Sequence, residues 1–329
     1  MTRPRVAWAP PMRDGVSPSR VAVSGGPWPT VLAFLQARLP AVADWPERLA
    51  RGDVLTLEGR PLQADEACQH GAVYWYWRQL PPEPRVPFEI ELLHQDEHLL
   101  AIDKPHFLAV SPSGRYLQET VTVRLKRLLG IDTLVPMHRL DRETAGVLLY
   151  IVKPEVRNAY QAVLRDRRAH KVYEALAPWP PRQPLPAEVS TRLEESPGDA
   201  FMQMLELPGE PNAHSRVELI QRLGPPPPGA LHDEEAARIQ AAGTPEIAHY
   251  RLQPHTGRRH QLRVHMQSLG VPILGDRIYP RHWPEPPPDA PPDYRRPLQL
   301  LAREISFTDP LSGQTRRFVS RRQLRLDAS

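Results

Sequence analysis

The run VLLYIV at 147–152 constrains this chain more than any other feature: six strand-forming apolar residues in a row suit a strand buried on both faces. It is entered by HRLDRETAG, which places two cations and a carboxylate, His138, Arg139 and Asp141, within four residues just ahead of a rigid rail. A loop tied to such a strand holds its side chains at a fixed height above the sheet, and an acid there is a candidate tool. Taken alone, the RLD triplet reads more readily as a turn cap or a surface ion pair between Asp141 and Arg139, and such pairs are worth little. Weight for a chemical role has to come from the rest of the chain.

At 329 residues there is room for one large domain or two of ordinary size. The formal charge of +4 permits a polyanionic partner without demanding one. Of 42 basic residues only Lys104, Lys126, Lys153 and Lys171 are lysines. The arginine bias matters because a guanidinium stacks on bases and grips phosphate bidentately. A single cysteine, Cys68, excludes an intrachain disulfide and a cysteine-based zinc site. No 18 apolar residues run together and the first residues carry no apolar core of signal-peptide length, so the expectation is a soluble, cytoplasmic protein without a membrane partner.

Residues 1–27, rich in Pro, Gly and Ser, are expected to form a flexible arm. Residues 28–80 read as a small α+β module. In it Thr30 caps a helix carrying Val31, Phe34, Leu35 and Leu39, Asp44 to Arg51 forms a second helix, and VLTLEG and VYWYWR form two strands around a turn. PPEPRVP, 81–87, is a linker. The larger unit, 88–322, opens with the strands EIELL and LLAID, the second ending at Lys104-Pro105. An amphipathic helix from about Gln118 to Leu129 should bury Val121, Leu125, Leu128 and Leu129, and another, opened by Pro154, should bury Val156, Tyr160, Val163 and Leu164. Lys171 to Ala177 reads as a strand, and EISFTDPLSGQTRRFV as strand, turn and strand. Two proline-rich stretches, 225–243 and 281–297, are expected to be extended surface insertions, and 323–329 a basic tail.

The second chemical stretch is RLQPHTGRRHQLRVHMQSLG, 251–270, which holds Arg251, Arg258, Arg259, Arg263 and three histidines with no acid. Thr256 is placed to cap a helix ended by Gly270, with Leu262, Met266 and Leu269 as its buried stripe. An arginine beside that stripe needs a carboxylate, because an unpaired buried charge costs about 3–5 kcal/mol, and Asp141 is a candidate partner for Arg263. His255, His260 and His265 recur every five residues, about 140° apart on a helix, so they do not converge on a metal and read instead as phosphate contacts, caps or supporting donors.

Taken in order, LLHQDEHLLAIDKPHFLAV, MHRLDRETAGVLLYIVK, HKVYEAL, LQPHTGRRHQLRVHMQSLGVPILGDRIY and LAREISFTDPLSG resemble the RluA-type pseudouridine synthases across roughly residues 86–320. The resemblance implies an enzyme that isomerises selected uridines in structured RNA, ribosomal before transfer, with neither metal nor cofactor. It implies Asp141 as the catalytic aspartate, Tyr173 as the active-site tyrosine, Arg263 as the arginine paired with the aspartate, and Arg139 as a residue that displaces the target base. His138, Lys171, Arg258, Arg259 and His260 are the further candidates for holding the RNA. Residues 28–80 are similar to a small ribosomal-protein-type RNA-binding module, although Asp44 and Glu47 suit a phosphate-facing helix poorly. The chain departs from the family pattern at Ala145, where serine is usual, and at Asp103, where asparagine is commoner.

The fold expected is therefore α+β, a large mixed and mainly antiparallel sheet with a small N-terminal α+β module, acting as a monomer. Two rival functions use the same residues. A glycosidic-bond hydrolase would need a second acid beside Asp141, for which Glu143 is the nearest, and would release free uracil. A noncatalytic RNA binder would have no use for an acid facing phosphate.

Overall fold

A computed structural model describes residues 9–40, 42–78, 83–112, 116–196, 203–241, 246–283 and 290–326. Parts of the expected arm (1–8), module (79–80), linker (81–82), insertions (242–243 and 284–289) and tail (327–329) lie outside the described residues. The chain divides into two compact units, Met1–Arg85 with Ser111–Asp132, and Val86–Val110 with Thr133–Ser329.

The first unit contains β1 (Ser19–Ala22), α1 (Val31–Arg38), α2 (Trp45–Ala50), β2 (Val54–Leu55), β3 (Val73–Tyr76) and α3 (Val121–Leu129). The Thr30 hydroxyl accepts from Ala33 N and caps α1, and Val31, Phe34 and Leu35 pack with Trp45, Leu49, Tyr74 and Tyr76. Residues 19–22 are not an arm: β1 pairs antiparallel with β3, Val21 opposite Tyr74, and supplies Val21 to the core. The alternation of Val21 and Val23 was too short a signal against the surrounding Gly, Pro and Ser. α3 is capped by Thr120 and ended by Gly130 in the left-handed conformation (φ 66°), as its sequence requires. Leu128, however, is 68% exposed rather than on the buried stripe.

The second unit is built on one sheet. Its elements are β4 (Glu91–Gln95), β5 (Leu99–Lys104), β6 (Val135–Pro136), β7 (Ala145–Ile151), a 3-10 turn at Pro154–Val156, α4 (Arg157–Arg165), β8 (Ala169–Trp179), β9 (Ala187–Glu195), β10 (Met204–Leu207), β11 (Ala213–Gly224), α5 (Asp233–Ala241), β12 (Glu246–Pro254), α6 (Gln261–Ser268), β13 (Leu300–Thr308) and β14 (Thr315–Val319). The order is β10-β9-β11-β12-β8-β13-β7-β5-β4, with β14 on β13 and β6 on β7. Among the described residues every pairing in this sheet is antiparallel except β13 with β7.

All seven residues of β7 are buried, which is what an uninterrupted apolar run demands. On one face Val147 and Leu149 pack with Tyr160 and Val163 of α4. Leu262, Met266 and Leu269 of α6 pack on the neighbouring part of the sheet with Tyr250 and Leu252. The extended reading of 225–243 is corrected over Asp233–Ala241, where α5 forms behind the proline run and buries Ile239 against Leu176 and Leu274. Its first turn holds Asp233, Glu234 and Glu235, a helix-start signal that the prolines masked. The expected tail also docks, since Leu324 and Leu326 pack on that cluster.

Candidate active site

Asp141 sits in the turn that leads into β7, closed by Thr144 N donating to the Asp141 carbonyl at 3.1 Å. The height of this turn is set by the end of β5. Lys104 stands opposite Gly146 in the ladder and is fully buried, and its Nζ donates to the carbonyls of Pro105 (2.8 Å), Leu108 (2.7 Å) and Arg142 (2.9 Å). Burial pulls this lysine down to about 7 against the pull of Glu143 and Asp141. The His106 ring holds the Glu143 carbonyl through Nδ1 at 2.6 Å. On the other side, β7 lies parallel to β13, and Gly146 (φ 112°) faces Ala302 so closely that a Cβ would meet the Ala302 carbonyl oxygen at 2.3 Å. Only glycine fits there.

Departure from asparagine at 103 is answered locally. The buried Asp103 carboxylate accepts from Ser320 Oγ (2.8 and 2.9 Å) and Arg321 N (2.7 Å), and the Arg322 guanidinium stands 3.4 Å away. The buried carboxyl is thus met by hydrogen-bond donors from Ser320, Arg321 N and Arg322 N, all on the segment that follows β14.

Arg263, on α6, is brought against Asp141 from far along the chain: Nη1 donates to Oδ2 at 3.1 Å. Its other nitrogens grip Asp276, Nε to Oδ2 at 2.8 Å and Nη2 to Oδ1 at 2.6 Å, in the bidentate fork that fixes a guanidinium most firmly. Asp276 in turn accepts from Ile278 N and Tyr279 N, and the Tyr279 ring lies 5.4 Å from the guanidinium carbon. Arg263 is 2% exposed and Asp276 1%, whereas the Asp141 side chain is 31% exposed. The geometry is a buried, fully paired cation presenting one open carboxylate.

Burial by itself would raise the Asp141 carboxyl, and the positive charges of His260, Arg263 and Arg259 overcome that and hold it below its ordinary value. Burial draws His260 down to about 4, so near neutrality Arg263 is the fixed cation beside the carboxylate. Tyr173 stands on β8 opposite Ala302, which pairs on its other side with Gly146, so the register carries the tyrosine to the strand beyond β13 from the Asp141 turn. Burial, then the Asp141 charge, pushes the Tyr173 hydroxyl up, and it stays protonated.

The remaining sequence candidates divide. Arg139 and Arg258 are exposed, Arg259 is half-buried and lies 3.7 Å from Glu195, and Lys171 is half-buried on β8. His138 is a strut: its Nε2 accepts from Leu149 N at 3.3 Å, and burial lowers it to about 3, so it carries no charge for phosphate at neutral pH. His260 is 9% exposed and turned toward Asp141, with Nε2 3.8 Å from Oδ2. The three histidines of 251–270 diverge, His255 toward Glu188, His260 toward Asp141 and His265 onto the Thr191 hydroxyl. Thr256 does not cap α6. It accepts from His214 N and donates to Gln261 Oε1, and the cap position falls to His260. Lys104 and Asp276 are the residues that sequence reasoning missed. GDRIY stood in the stretch compared with the family, but nothing in its pattern pointed to Arg263.

A family model described as RNA pseudouridylate synthase matches residues 98–268, more than half of the chain. The chain belongs to this family. The synthase is 32% identical over 240 residues to an uncharacterized RNA pseudouridine synthase from Synechocystis, covering 71% of this chain and 73% of that one. It is 29% identical to the dual-specificity RNA pseudouridine synthase RluA of Haemophilus influenzae, covering 71% of this chain and 94% of the relative. The corresponding RluA of Vibrio cholerae is 30% identical, covering 70% and 81%. Among solved structures, human RNA pseudouridylate synthase domain containing 1 superposes with a TM-score of 0.53 at 19% identity, over 73% of this chain and 86% of that one, and so shares its fold. The synthase is an isomerase of uridine in RNA, of the RluA type.

Proposed function

We propose that the Asp141 carboxylate is the group that acts on the target uridine, and that the RNA is ribosomal or transfer RNA. The observation that carries this reading is the pairing of Asp141 with Arg263 at 3.1 Å while the carboxylate keeps an open side. The dual specificity named for the RluA relatives supports both RNA classes.

The reaction breaks the bond from N1 of uracil to C1′ and forms one from C5 to C1′. The proton on C5 leaves and N1 gains one, so the overall change is an isomerisation. A carboxylate kept ionised by Arg263 serves either as nucleophile or as base on the sugar. A stacked uridine is out of reach of Asp141, so the nucleotide must be everted, at a cost of about a few kcal/mol. Arg139, exposed two residues before Asp141, fills the vacated stack, and Arg258 with Arg259 holds flanking phosphates. Tyr173 offers the uracil an aromatic face and, as a protonated phenol, a proton. Lys171 adds positive charge at the cleft, and the synthase works as a cytoplasmic monomer.

A hydrolase would need Glu143 free as a second acid, but its carboxylate lies 2.6 Å from the Arg142 guanidinium. The test is Asp141→Asn. Loss of turnover of at least about 10⁴-fold is expected, the scale on which a reacting group is missed, with RNA affinity unchanged. Substantial turnover in this variant, or free uracil and abasic RNA from the wild type, ends the reading. Pseudouridine mapping of total RNA from cells with and without the gene then identifies the RNA class.

A further inference from the structure

We infer that His260 is a positioning residue that reserves one oxygen of the Asp141 carboxylate for the reaction. The inference rests on Asp141 as the acting group and adds which of its oxygens acts.

His260 occupies the cap position of α6 in the left-handed conformation, φ 53° and ψ 13°, and its side chain makes no capping bond. A residue other than glycine held there carries backbone strain. The strained backbone turns the ring inward, onto Tyr279 and Asp141. The two rings meet edge to face at 5.6 Å and 87°, and His260 Nδ1 lies 3.1 Å from Tyr279 Oη.

The hydrogen-bond chain accommodates a ring that holds its proton on Nε2. Tyr279 Oη accepts from Met204 N at 2.6 Å, and burial pushes the phenol up to about 12, so it remains a donor. Its nearer acceptor is His260 Nδ1 at 3.1 Å, the Met204 carbonyl being 3.3 Å away. With Nδ1 accepting, the uncharged ring carries its proton on Nε2, the nitrogen that faces Asp141 Oδ2 at 3.8 Å. That distance is too long for a hydrogen bond, and the N–H acts as a dipole on the oxygen from a side chain that is itself buried.

Arg263 Nη1 approaches the same Oδ2. One hydrogen bond and one ring edge therefore fall on the same oxygen, and among the described residues Oδ1 has no protein partner. Turning the carboxylate part of the way round would weaken both interactions, so they hold its plane and keep one oxygen position against Arg263 and the other open. Oδ2 is the anchored atom and Oδ1 the atom that meets the ribose or the uracil. This differs from the expectation that His260 contacts RNA phosphate, for which its 9% exposure leaves little surface.

The experiment compares wild type, His260→Ala, His260→Gln and Tyr279→Phe by single-turnover rate on bound RNA and by RNA Kd. His260→Ala is expected to slow the bound-state rate about 10–100-fold with Kd within about twofold, the loss typical of an orienting partner. His260→Gln, whose amide N–H reaches the position of Nε2, should recover most of that rate, and Tyr279→Phe should fall between. An unchanged rate in His260→Ala, or a weakened Kd with an unchanged bound-state rate, overturns the inference. A ¹⁵N NMR spectrum of the ring supplies a readout that needs no substrate: Nε2–H is expected at pH 7, and an Nδ1–H ring overturns the inference by itself. A wild type that forms no pseudouridine in any RNA would instead sink the assignment of Asp141, leaving the tautomer measurement standing.

Discussion

Arg263 and Arg258 come from the same short stretch of sequence, yet one is 2% exposed and the other lies open to solvent. Arg263 spends all three nitrogens on two carboxylates, Asp276 and Asp141. Among the described residues the Arg258 guanidinium reaches only the Asn212 carbonyl, at 3.4 Å, through Nε. The contrast separates two uses of one side chain. A guanidinium locked by a bidentate partner is a fixed charge that orients a carboxylate, and its value is geometric. A guanidinium held by one long bond can follow a phosphate wherever the RNA puts it, and its value is electrostatic.

The contrast breaks most visibly at Asp276. Asp276→Ala strands part of a buried charge, and a loss of folding stability of about 3–5 kcal/mol is expected from chemical denaturation. A variant that unfolds at the wild-type midpoint would show that Asp141 alone suffices to hold Arg263. Lys104 is the next test, because it orders the Asp141 turn from below as Arg263 does from the side. Lys104→Met leaves three buried carbonyls without their donor and should cost about 3 kcal/mol, with a fall in turnover because the turn is no longer held. Its pH signature is distinctive. Burial lowers the folded-state lysine to about 7 from 10.5, so between those values the unfolded chain holds a proton that the folded one has released. Stability from this residue therefore rises with pH from about 7 to 10.5, and thermal melts of Lys104→Met should lack that rise. The smallest effects belong to the outer arginines. Arg258→Ala and Arg139→Ala should change stability by no more than about 0.5 kcal/mol. Each should weaken RNA binding and lower the slope of log affinity against log salt by about one where a phosphate contact is lost. An unchanged salt slope for Arg258→Ala would remove it from the RNA surface.

The same contrast explains what could be read from residues alone. Asp141 and Arg263 were legible because each stands in a dense local pattern, HRLD beside an apolar run and HQLR on an amphipathic helix. Asp276 was not, since its role depends on a turn after α6 folding back onto a side chain of that helix, and no periodicity records such a return. Lys104 read as the end of a strand, and only the ladder pairing with Gly146 shows that it lies under the Asp141 turn. His138 and His260 carried the composition of an RNA contact, but burial decides their charge, and burial is a property of the packed chain. β1 and α5 were lost behind Gly, Pro and Ser, where a composition typical of loops outweighed a short alternating strand in one case and an acidic helix start in the other.

The one parallel pairing in the large sheet joins Ala145 and Gly146 to Leu301 and Ala302. The turn bearing Asp141 is thus braced by a strand that lies far downstream in the chain. Closing so distant a contact costs loop entropy before the pairing rewards it, so the wall of this turn is expected to form late in folding.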